Sequence, residues 1–202
     1  MKSKSLLAVE VISTAFSYKI LNEVTENAWL EVVEVSSGAN AKNILIFQAD
    51  DAQKLKTLKT RIEEKYGQPS RRVLEIFSPQ IFDLCYIEEV HSDIFAALTS
   101  LVQNPVEQSL VVFETESICG TISGIDTVLK NHHLKLCDLK LVRQSGGMNH
   151  AFLTGSIADC VAAGAALKQL LFANYLIGEV EMIANPTAKI QQLFGFAKRS
   201  NE

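Results

Sequence analysis

The sequence predicts an α/β protein, an α+β sandwich, built from two tandem copies of one β-α-β-β-α-β domain. Three observations carry this prediction. Two short apolar, β-branched stretches, residues 6–13 and 109–117, hold a glutamate at the same place, and Glu10 and Glu114 stand 114 − 10 = 104 residues apart, about half of the 202 residues. Each stretch runs into apolar residues at helical spacing. The later strand-like and helix-like patterns then recur in the same order in both halves, the mark of an internal repeat.

In the first copy, residues 6–12 read as a strand. Residues 14–27 follow as a helix striped by Phe16, Ile20, Leu21 and Val24, with Ser13 or Thr14 as its N-cap. Residues 29–35 are β-rich and end in Ser36-Ser37-Gly38-Ala39-Asn40, a small, polar turn. Residues 43–48 form the return strand. Asp50 and Asp51 cap the next helix, which carries Leu55, Leu58 and Ile62 and stops at Gly67 and Pro69. Residues 72–77 read as the fourth strand, and Ser78-Pro79 as the opening of a short helix. A further helical pattern spans 94–102 until Gln103-Asn104-Pro105 breaks it. The domain boundary falls there: 1–104 is the first copy with a C-terminal helical extension, and 105–202 is the second.

The second copy repeats the order. Residues 109–115 are its first strand, with Ser117 leading into a helix striped by Ile118, Ile122, Ile125 and Leu129. Residues 134–142 are strand two, Arg143-Gln144-Ser145-Gly146-Gly147 the loop, and 150–154 the return strand. Gly155-Ser156 caps a long helix whose Ile157, Val161, Gly164, Leu167 and Leu171 are expected to face inward, its alanines keeping it slim. Residues 178–184 make strand four, and Asn185-Pro186 matches Ser78-Pro79.

Composition excludes several classes of function. A net charge of −4 with dispersed Lys and Arg gives no electrostatic footprint for nucleic acid. No apolar run reaches the roughly 20 residues of a membrane span, and the basic start of the chain meets Glu10 with no cleavage-site pattern, so a secretory leader is not expected. Cys85, Cys119, Cys137 and Cys160 have no C-x-x-C pairing or zinc spacing and read as reduced, buried thiols.

For the two glycine-bearing loops, two readings stay open. One is a hairpin turn that needs positive φ; the other is a loop whose backbone amides meet an anion in a shared opening. Neither is a P-loop, because no Lys-Ser or Lys-Thr follows the glycines. His132-His133 reads as surface histidine, since adjacent residues in a strand point opposite ways. His150 stands near the second loop as a rim residue or as polar filler. Glu10 and Glu114, in different copies, do not make an acid/base pair, and no catalytic constellation or metal site is expected.

Taken together, these segments resemble the bacterial microcompartment shell proteins of the tandem-domain, trimeric type, from about residue 6 to 196. Val111-Val-Phe-Glu-Thr-Glu resembles their first strand, Asp126-x-x-x-Lys130 their first helix, Ser145-Gly146-Gly147 their pore loop, and the stretch from Gly155 to Val161 the opening of their second long helix. The resemblance implies a non-catalytic shell protein: a homotrimeric pseudohexamer with a central pore for small polar metabolites, lined by Ser36, Ser37, Gly38, Ala39, Asn40, Gln144, Ser145, Gly146 and Gly147. It implies a place in a microcompartment shell in the cytoplasm, with other shell proteins at its edges and encapsulated enzymes as partners. The edge positions are Asn22, Glu26, Asp126, Lys130, Ser78 and Asn185. Asn22 and Glu26 stand where the second copy has Asp126 and Lys130, and Ser78 and Asn185 replace the family's arginine before proline. Neither loop holds the cysteine that ligates an iron–sulfur cluster in some members, so no cofactor is expected. The rival from another class is a sensor of duplicated ferredoxin-like halves that clasps a small effector with the same loops.

Overall fold

The computed structural model describes residues 4–25, 28–37, 42–69, 80–99, 104–141, 148–187 and 189–190. These fall into two compact units, residues 4–90 and the residues from His91 onward. The first holds β1 (Ser5–Ile12), α1 (Thr14–Val24), β2 (Glu31–Ser37), β3 (Lys42–Ala49), α2 (Ala52–Tyr66) and β4 (Gln80–Ile87). Its sheet is antiparallel in the order β2-β3-β1-β4. Strand β1 is central, and Ser5 to Val11 are buried without alternation, which is why its sequence is apolar on both faces. One face packs Leu7, Val9, Val11, Leu45 and Phe47 against Phe16, Ile20 and Val24 of α1 and Leu55, Leu58 and Ile62 of α2. Both helices begin where a side chain accepts an otherwise orphaned N–H: Ser13 Oγ from Phe16 at 3.3 Å and Asp51 Oδ1 from Lys54 at 3.1 Å.

The second unit holds α3 (Ser92–Leu98), β5 (Ser109–Thr115), α4 (Ile118–Asn131), β6 (Leu134–Lys140), β7 (Asn149–Gly155), α5 (Ile157–Ala173) and β8 (Gly178–Ala184). Its antiparallel sheet runs β6-β7-β5-β8. Ser117 and Ser156 cap α4 and α5 as Ser13 and Asp51 cap α1 and α2. Phe113 of β5 lies against Gly124 of α4 so closely that a Cβ there would meet its ring at 2.8 Å.

The duplication holds in register apart from one bulge: β1 and β4 shift between Glu10 and Val11, where β5 and β8 pair without a break. Leu6 and Leu110 match across the repeat, opposite Ile87 and Ile183. Thus the spacing is 104 at the first strands but 183 − 87 = 96 at the fourth. It is 155 − 49 = 106 at the third strands, where Ala49 faces Ser5 and Gly155 faces Ser109. The bulge of the second strand recurs, between Val32 and Glu34 and between Leu136 and Asp138.

Two expectations are corrected, the place of the fourth strand and the phase of α5. The fourth strand of the first unit is β4 at Gln80–Ile87, where a short helix was expected to follow Pro79; residues 72–77 and Ser78 lie outside the described residues. A constant spacing of 104 misplaces this strand because the first copy has 106 − 97 = 9 extra residues before Ile81, the match of Gly178, and one more at the bulge within β4. The matched partner of Asn185 is therefore in the turn at Glu89 rather than at Ser78, and both turn residues have positive φ, 50° and 49°. On α5 the inward residues are Cys160, Ala163, Gly164, Leu167 and Leu171, whereas Ile157 and Val161 are 41% and 54% exposed. The pattern read at 94–102 is α3, which belongs to the second unit and lies against β6.

Candidate functional site at the strand-connecting loops

The loop tips, with Gly38, Ala39, Asn40, Arg143, Gln144, Ser145, Gly146 and Gly147, lie outside the described residues. Their stems do not. Ser36 and Ser37 end β2 opposite Ile44 and Asn43, and Ser36 Oγ donates to Glu34 Oε1 at 2.7 Å. Asn43 is 4% exposed, and its Oδ1 accepts from Thr14 Oγ1 at 3.1 Å, tying the start of β3 to the start of α1. The second unit has an asparagine at the matched place, tied instead to the end of β5. Asn149, 3% exposed, stands 149 − 43 = 106 residues later and donates from Nδ2 to the carbonyl of Thr115 at 3.1 Å. These two buried asparagines escape a reading that holds the spacing at 104; a comparison that allows 106 pairs them.

The stem chemistry is cationic and aromatic. Lys42 Nζ lies 3.4 Å from the centre of the Phe82 ring. Lys140 pairs with Asp138 at 3.3 Å and reaches to 5.9 Å from the Phe152 ring, which His150 meets edge-on at 5.4 Å. His150 Nδ1 is 3.2 Å from the Met148 carbonyl. Among the described stem residues no hydrogen bond joins a nucleophile to a histidine base.

No family model matches the chain. Among solved structures, it superposes on a microcompartments protein of Desulfitobacterium hafniense with a TM-score of 0.74 at 20% identity, over 94% of this chain and 98% of that one. The two chains share one fold. A putative chlorite dismutase matches at a TM-score of 0.34 and 9% identity, over 96% and 99% of the two chains. A putative glycine cleavage system transcriptional repressor matches at 0.31 and 10%, over 90% and 99%.

The residues expected at edges occupy unlike settings. Asn22 is exposed on α1. Asp126, its counterpart on α4, is 5% exposed; its Oδ1 accepts from the His91 N–H at 2.8 Å and its Oδ2 pairs with Lys130 at 2.6 Å. Lys130 thus makes an ion pair within its own helix, one turn on. Asn185 lies in an exposed turn, its N–H donating to the Gln108 carbonyl at 2.9 Å. Glu26 and Ser78 lie outside the described residues.

Cys119, Cys137 and Cys160 are buried free thiols, and burial pushes the Cys137 thiol up to about 12. His132 ends α4, and His133 is exposed, its N–H reaching Asp159 Oδ1 at 3.4 Å. No described helix is long and apolar enough to cross a membrane.

Proposed function

We propose that this chain is a structural, non-catalytic tile of a bacterial microcompartment shell in the cytoplasm. Three copies would ring a central opening lined by the two loops, Ser36 to Asn40 and Gln144 to Gly147, through which small polar solutes pass. Other shell proteins would meet its edges and encapsulated enzymes its inner side, without metal or cofactor. The observation that supports this reading is the end-to-end likeness of the duplicated fold to a microcompartments protein, spanning 94% of the chain. The cationic side chains at the loop stems, Lys42 and Lys140, suit small anions.

Native mass spectrometry at micromolar concentration tests the assembly. A three-chain mass, and flat layers under the electron microscope, are the expected results. A single-chain mass would overturn the reading. Ligand-dependent thermal stabilisation of that single chain would favour the effector-sensing alternative.

A further inference from the structure

The repeat lets each unit serve as a template for the other. In the second unit the edge strand β6 is sealed. Leu136, just before the bulge, donates its N–H to Asp93 Oδ2 at 3.1 Å, and its carbonyl accepts from Asn104 Nδ2 at 2.8 Å. Asp93 lies in the first turn of α3, whose cap residue His91 donates its N–H to Asp126 on α4. Leu136 is wholly buried as a result of this cover and its neighbours. The segment that follows β4 thus closes one strand edge and docks on one helix.

The matched surface of the first unit is bare among the described residues. Val32 stands where Leu136 does, 136 − 32 = 104 residues earlier and before the same bulge, yet is 38% exposed, with Val35 at 36%. No described side chain bonds its backbone. Asn22, which matches Asp126, is exposed, and its side-chain amide has no hydrogen-bond partner among the described residues. An open apolar strand edge invites pairing or cover.

The same chain holds a second segment at the matched place, with Lys189 and Ser200 where Asp93 and Asn104 stand. With the spacing of 96 set by Ile87 and Ile183, Thr187 matches His91. Thr187 Oγ1 accepts from the Ile190 N–H at 3.4 Å, as His91 Nδ1 accepts from the Asp93 N–H at 3.3 Å. The sequence continues the likeness, with Ile190 and Phe194 in the places of Ile94 and Leu98. We propose that the β2 edge at Val32 and the α1 face at Asn22 receive a second copy of this chain, which presents the segment beginning at Thr187 as α3 is presented to β6. This rests on the shell-tile reading and specifies its chain-to-chain contact. Because giver and receiver are different surfaces, the contact is head-to-tail, the kind that closes rings.

Two cysteine variants test this. One population carries Val32→Cys and another Lys189→Cys, the match of Asp93; they are mixed and oxidised. A covalent pair that forms in the mixture and in neither population alone is the expected result, because a link within one chain cannot form. In parallel, Val32→Asp should shift the native mass from the assembly to the single chain with the far-ultraviolet dichroism unchanged. If Val32→Asp fails to fold, the mixed oxidation decides alone. Assembly of the parent chain without a covalent pair overturns the inference and leaves the tile reading standing. A parent chain that stays single overturns both.

Discussion

Gly178 marks how little room this fold leaves at the scale of one residue. A Cβ there would collide with the Glu114 carbonyl and press on Leu171. Gly178→Ala should therefore cost about 1–3 kcal/mol, as overpacking does, read as a lower urea midpoint with an unchanged slope. Glu23 makes a pH-dependent contribution. Its Oε2 accepts from Lys65 Nζ and Tyr66 Oη, both at 2.6 Å, and these bonds hold its carboxyl below the ordinary 4.5. A depressed folded pKa stabilises the fold above the unfolded value and ceases to do so as pH falls through the folded one. The thermal midpoint of Glu23→Gln should lie below that of the parent at pH 7 and converge with it under acid conditions below pH 4.5; an equal gap at both would refute the assignment. At this scale the sequence was readable for groups that act locally. Ser13, Asp51, Ser117 and Ser156 are legible as caps because their partner is three residues away. Asp126 was not, since its partner His91 is 35 residues distant and an acidic residue on a helix reads as surface.

Among the elements, α5 shows why a helix can be recognised while its rotation is missed. Ala162, Ala163, Ala165 and Ala166 give no contrast between faces, so Ile157 and Val161 drew the stripe toward themselves. The packed side follows Cys160, Ala163, Gly164, Leu167 and Leu171 instead. Leu167→Ala should cost about 2–5 kcal/mol, as removal of a buried leucine side chain does, and Val161→Ala about 0.5 kcal/mol or less, both measured by denaturant titration at low protein concentration. Equal costs would return α5 to the expected phase. Strand β4 was misplaced for a different reason. Pairing between strands distant in sequence is set by register, and no local pattern reports nine extra residues in the preceding connection or the bulge that adds a tenth. The other strands lay where their β-branched runs put them, within a few residues.

For the molecule as a whole, the duplication was the most legible property and its inequalities the least. Matched places carry opposite surroundings: Val32 is exposed and Leu136 buried, Asn22 exposed and Asp126 enclosed. Hydrogen exchange reads this difference directly. In dilute solution the Val32 amide should exchange much faster than the Leu136 amide, which is held by Asp93, and raising the concentration should slow Val32 selectively. Equal protection of the two at every concentration would contradict the sealed and open edges. The buried pair Asn43 and Asn149 has an effect of its own. Asn43 ties a loop root to the start of α1 and Asn149 ties one to the end of β5, and the first and third strands pair in the same register although one connection is two residues longer than the other. The segments between the clamps are thus interchangeable inserts on a fixed mount. Evolution, or an engineer, can rewrite the chemistry of these loops without renegotiating the fold that carries them.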